Sequence, residues 1–139
     1  MWMLATGTGI APFLSMLATE EPWQRFKKVV LVYATRTAQD RRYQGMIEQL
    51  KVERGEQFLF QSFVSRETAA NALPGRIPAA LESGVLQANV GLDLATDRSH
   101  FMLCGNPDMV SEVSELLKGQ GFRKNRRRTP GHITAENYW

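Results

Sequence analysis

An apolar run, Trp2-Met3-Leu4-Ala5, breaks at Thr6-Gly7-Thr8-Gly9 and passes through Ile10-Ala11-Pro12 into a helical repeat. No other stretch limits the fold as tightly. Ile10, Phe13, Leu14 and Leu17 recur at the spacing of one helix face. Pro12 suits a first helical turn, where a missing N–H costs nothing and its φ is already helical. The unit is strand, glycine turn, helix. Such a turn lets backbone approach a ligand closely, and the free N–H groups that open the helix favour an anion such as phosphate. The spacing departs from GxGxxG in carrying Pro12 at the third glycine position. A tight turn without a ligand is the other reading of these residues.

The same alternation continues along the chain. Val29-Val30-Leu31-Val32-Tyr33 is a continuous apolar run, the form taken by parallel strands covered on both faces. Tyr43, Met46, Ile47 and Leu50 mark one face of a helix that starts near Asp40 and ends at Gly55. Gln57 to Val64 reads as a third strand, followed by a polar, alanine-rich loop to Pro74-Gly75-Arg76. A short helix from Pro78 to Ser83 precedes an irregular connection through Asp93 and Asp97. His100 to Leu103 restores a strand that ends at Cys104-Gly105-Asn106-Pro107, with Asn106 suited to an N-cap and Pro107 to the first helical position. Met109, Val110, Val113, Leu116 and Leu117 mark the helix, and His132 to Trp139 alternates as a last strand. The pattern predicts one α/β domain over residues 1–139. Its sheet is Rossmann-like and parallel, of about five strands with helices on both faces. Ligands in such sheets sit at the carboxyl ends of the strands. GTGIAP, Ser65-Arg66-Glu67 and the Cys104 turn all fall there.

Composition narrows the function. A chain of 139 residues with 43% hydrophobic content can bury a core. One cysteine excludes an internal disulfide and suits a reducing, cytoplasmic compartment. Two histidines and one cysteine make no convincing metal cluster. No stretch approaches the roughly 20 apolar residues of a membrane span, and the apolar opening is too short, and lacks the basic leader, for a signal peptide. The sequence starts inside a strand, as a domain cut from a longer chain would. Arg123, Lys124, Arg126, Arg127 and Arg128 crowd near the end. Such a run is a solvated face or attracts an acidic partner. A nucleic-acid binder would interleave aromatics with the cations, and this run has none.

If the glycine turn holds a pyrophosphate, the end of the second strand decides the nucleotide. An NAD site places a carboxylate there for the ribose 2′-hydroxyl, whereas this strand ends Ala34-Thr35-Arg36. Arg36, Arg66 and Arg76 lie at or after strand ends, where guanidinium groups suit a 2′-phosphate; local surface pairing is the alternative. Cys104 has no histidine near it in sequence and is read as a small apolar residue, not a nucleophile. Tyr138 and Trp139 either pack on the domain's own sheet or cover a flat aromatic cofactor.

Taken together, GTGIAPFLSML, VSRE, GRIP, CGNPDM and the closing AENYW resemble the NADP-binding domain of bacterial ferredoxin/flavodoxin–NADP reductases, in order and over essentially the whole chain. The resemblance implies that Gly7, Thr8 and Gly9 face the pyrophosphate and that Arg66 and Arg76 hold the 2′-phosphate. It sets Cys104 and Gly105 against the nicotinamide, with Met109 supporting their loop. Glu136 would stand near the reacting rings, and Tyr138 and Trp139 over or beside FAD. The cofactors implied are NADP and, in the intact enzyme, FAD; the partner is ferredoxin or flavodoxin. The family's N-terminal FAD-binding barrel has no counterpart in these residues. Two other readings remain. One is the same domain in a related flavin reductase or oxygenase reductase component. The other is a non-enzymatic nucleotide- or nucleic-acid-binding module.

Overall fold

The fold is described here from a computed structural model, over residues 1–137. Its strands are β1 (Trp2–Thr6), β2 (Val29–Thr35), β3 (Phe58–Val64), β4 (Ala72–Pro74), β5 (Phe101–Gly105) and β6 (Ile133–Asn137). They form one sheet in the order β4-β3-β2-β1-β5-β6, with every neighbouring pair parallel. The connecting helices are α1 (Ile10–Leu17), α2 (Glu21–Arg25), α3 (Gln44–Arg54), α4 (Ile77–Ser83), α5 (Val85–Val90) and α6 (Pro107–Gly119).

The runs of β1, β2 and β5 are apolar throughout their middles because both faces of the sheet are covered. Trp2 and Leu4 point into one core with Val30, Val32, Phe63 and Leu103, closed by Ile77 and Leu81 of α4 and by Val110, Val113 and Leu117 of α6. Met3 and Ala5 point the other way, with Val29, Leu31 and Tyr33, under Ile10, Leu14 and Leu17 of α1 and Ile47 and Leu50 of α3. The alternation follows the two-residue period of a strand, and each large side chain fully buried contributes about 1.5–3 kcal/mol. Connections from β1 run outward to β2, β3 and β4 on one side and to β5 and β6 on the other. The switch point, where ligands gather in such sheets, therefore lies between β1 and β5.

The structure adds to and corrects the sequence reading in four places. The alanine-rich loop contains β4, three residues in register with Ser62, Phe63 and Val64. The connection taken as irregular contains α5, which buries only Leu86 and so shows no period. Asp40 does not start a helix. It closes a single turn at Ala38–Asp40, its carboxylate accepting from the Thr37 N–H at 3.2 Å and the Thr37 hydroxyl at 3.0 Å. α3 starts later, after Tyr43 turns the chain with φ of 62°. As a result Tyr43 and Met46, expected on the buried face, are 44% and 46% exposed.

The basic run lies beside β6, an edge strand of the sheet, with Lys124 bridged in parallel to Ile133. Arg126 and Thr129 exchange backbone hydrogen bonds at 3.0 and 3.1 Å, which makes a tight turn of the exposed Arg127 and Arg128 just before β6 begins.

Candidate functional site

The ends of β1, β2 and β3 open into a cavity of about 1010 Å³, a volume that suits a large cofactor. It is lined by Thr6, the last residue of β1, and by Gly7 and Thr8 after it. The β2–β3 ladder continues past both strands, with the Ser65 N–H donating to the Thr35 carbonyl at 3.1 Å and the Arg66 N–H to the Arg36 carbonyl at 2.9 Å. That pairing brings the backbones of Arg36 and Arg66 together, and both exposed residues line the cavity. The Glu67 carboxylate braces the same corner by accepting from the Ala38 N–H at 2.6 Å. Arg76 precedes α4 and completes the wall, its Nη1 3.4 Å from Glu112 Oε1, with both side chains about half exposed.

Cations dominate this lining. Arg36, Arg42, Arg66 and Arg76 face Asp40 and Asp108 as the lining carboxylates, and Asp40 is engaged by its own turn. The arrangement fits a ligand of high negative charge that can accept several charge-assisted hydrogen bonds. Asn106 caps α6 beside it, its Oδ1 accepting from the Asp108 N–H at 2.8 Å and the Met109 N–H at 3.4 Å. Met109 is buried under that turn and touches the cavity.

Of the residues singled out in the sequence, Gly7, Thr8, Arg36, Arg66, Arg76 and Met109 line the cavity together. Gly9 lies behind it, buried, where a Cβ would stand 2.5 Å from the Cys104 carbonyl oxygen and 2.9 Å from Gly105 Cα. Gly105 has φ of 133°, and a Cβ there would overlap Thr6 Oγ1. Cys104 is buried and in register with Ala5 on one side and Glu136 on the other. Glu136 is exposed on β6. Tyr138 and Trp139 lie outside the described residues. Sequence reasoning missed Thr6, Arg42, Tyr43 and Ser65 as cavity residues. The basic pair Arg41-Arg42, just past the second strand, was the signal available for one of them.

Burial, and secondarily the Glu136 carboxylate, push the Cys104 thiol above its ordinary value. The thiolate, which is the nucleophilic form, is therefore scarcer than in a free cysteine at neutral pH. Iodoacetamide at pH 8 should label Cys104 about tenfold or more slowly than a free thiol, as followed by mass spectrometry. Labelling as fast as glutathione would contradict a purely spatial role.

No cluster of metal-ligating side chains occurs among the described residues, and none of their helices is long and apolar enough to cross a membrane.

Comparison with known proteins places this geometry. Residues 3–115 match the oxidoreductase NAD-binding domain. The flavodoxin/ferredoxin–NADP reductase of Escherichia coli is 49% identical over 140 aligned positions, which take in 100% of this chain and 56% of that protein. The ferredoxin–NADP reductase of Pseudomonas aeruginosa is 31% identical, over 98% of this chain and 55% of its own length. A crystal structure of a ferredoxin NADP⁺ reductase from Neisseria gonorrhoeae, with bound FAD and NADP, superposes with a TM-score of 0.92 at 33% identity, covering 99% of this chain and 55% of that one. The chain spans about half the length of the curated relatives it matches.

Proposed function

Because this chain belongs to the oxidoreductase NAD-binding domain family, we propose that it is the NADP(H)-binding domain of a flavin-dependent ferredoxin or flavodoxin reductase of the cytoplasm. One observation carries the choice of nucleotide. Arg36, Arg66 and Arg76 converge on one cavity, and β2 ends at Thr35-Arg36 without a free carboxylate to take a ribose 2′-hydroxyl. Guanidinium groups hold a 2′-phosphate through paired, charge-assisted hydrogen bonds.

In this reading Arg36, Arg66 and Arg76 grip the 2′-phosphate, and the backbone of Gly7 and Thr8 approaches the pyrophosphate. Gly9 serves the same loop from behind. Cys104 and Gly105 shape the slot for the nicotinamide, Met109 supports it from α6, and Glu136 stands beside Cys104 near the reacting rings. Tyr138 and Trp139 would lie over or beside FAD, most of whose contacts come from an FAD-binding barrel outside residues 1–139. NADPH, when bound, supplies a hydride, and FAD provides the acceptor. The protein's part is binding and orientation.

The named relatives act with ferredoxin or flavodoxin, and such a carrier is the proposed partner. The basic turn at Arg127 and Arg128 sits at the far edge of the sheet from the cavity. Its contribution is steering of an acidic carrier through the field, with little direct contact.

Calorimetric titration of the chain tests the nucleotide choice. NADP⁺ should bind at least tenfold more tightly than NAD⁺. Equal affinities would overturn the reading.

A further inference from the structure

Three contacts clamp the loop after β1 to the loop after β5, across the switch point. Gly9 lies against the Cys104 carbonyl. Gly105 lies against Thr6. The Asn106 N–H donates to Thr6 Oγ1 at 2.7 Å, joining residues 100 positions apart. These contacts are not equivalent. The two glycines permit a close approach but specify nothing, since a glycine lacks any group that could choose one separation over another. The hydrogen bond has direction and length.

Resting on the NADP reading above, we infer that Thr6 is a positioning residue. Its hydroxyl fixes the Cys104–Asn106 turn and thereby the slot for the half of the dinucleotide that carries nicotinamide. The reach of one hydroxyl is long because the acceptances run in series. Thr6 Oγ1 holds Asn106, and Asn106 Oδ1 in turn holds the first N–H groups of α6 at Asp108 and Met109. Thr6 also lines the cavity itself, together with Gly7 and Asn106. The arginine wall hangs on β2, β3 and α4, and its tie to α6 is the half-exposed Arg76–Glu112 pair, past the first turn that Asn106 caps. Loss of the Thr6 hydroxyl should therefore loosen one end of the site and leave the other intact.

Thr6→Val keeps the shape and removes the acceptor; Thr6→Ser keeps the acceptor. Each variant is titrated with NADP⁺ and with adenosine 2′,5′-bisphosphate, which lacks the nicotinamide half. Thr6→Val should raise the NADP⁺ Kd about threefold to tenfold, change the bisphosphate Kd by less than about twofold, and be rescued by Thr6→Ser. Hydrogen exchange at the Asn106 amide, read by NMR, should rise about tenfold in Thr6→Val with core β1 and β2 amides unchanged. Proportional loss for both ligands, or failure of the serine variant to restore binding, would mean that Thr6 serves the fold, and the inference falls. Should the unaltered chain bind neither ligand, the NADP reading falls. The Asn106 amide then still decides whether Thr6 positions the turn.

Discussion

Arg66→Ala and Arg76→Ala will each raise the Kd for NADP⁺ about tenfold to a hundredfold and leave that for NAD⁺ within about twofold. A hydrogen bond to a charged group contributes roughly 1.5–3 kcal/mol, which corresponds to that range. The free protein already shows why these groups await a ligand. Arg36 and Arg66 both line the cavity, exposed, and neither guanidinium has an ion-pair partner among the described residues. Arg76 has Glu112 at 3.4 Å, but both side chains are about half exposed, and such surface pairs are worth about 0–1 kcal/mol. Glu112→Ala should accordingly leave NADP⁺ binding intact. Stability supplies the second readout. Arg66 is exposed and makes no ion pair among the described residues, so its removal should leave Tm unchanged. An equal loss for NAD⁺, or a fall in Tm of several degrees, would mean that these arginines serve the fold.

The second large effect is on stability. Gly9→Ala must place a methyl group 2.5 Å from the Cys104 carbonyl oxygen, and that oxygen belongs to a strand paired on both sides. Neither partner can give way without parting β1 from β5. Forcing atoms into a packed interior costs about 1–3 kcal/mol, or a Tm lower by roughly 5–10 °C for a domain of this size. Gly45→Ala is the matched control. It sits in the first turn of α3 with open space where its Cβ would go, and there alanine should be neutral or stabilise by a few tenths of a kcal/mol up to about 1. A Gly9→Ala protein that melts with the parent would show that the two loops are not clamped.

The parts of the molecule that could be read from the sequence are those built from burial. β1, β2 and β5 announce themselves as unbroken apolar runs because both faces of the sheet are covered. Arg66 and Arg76 could be placed at the edge where the strands end because the end of β3 and the start of α4, with Pro78 in its first turn, set their positions. What could not be read depends on contacts with no local pattern. β4 is three residues long and exists through its pairing with Ser62 to Val64. Tyr43 was placed in the core because a helix begun at Asp40 would carry it inward; the Thr37–Asp40 turn delays that helix, and the ring emerges at the cavity instead. Gly9 lies against the Cys104 carbonyl, a neighbour that only the meeting of β1 with β5 supplies.

A crystal structure of the chain grown with NADP⁺ tests the central claim most directly. The account predicts the 2′-phosphate at about 2.7–2.9 Å from guanidinium nitrogens of Arg66 and Arg76, with the pyrophosphate over Gly7 and Thr8. A nucleotide bound with its 2′-phosphate in solvent, or seated away from the ends of β1, β2 and β3, would contradict it.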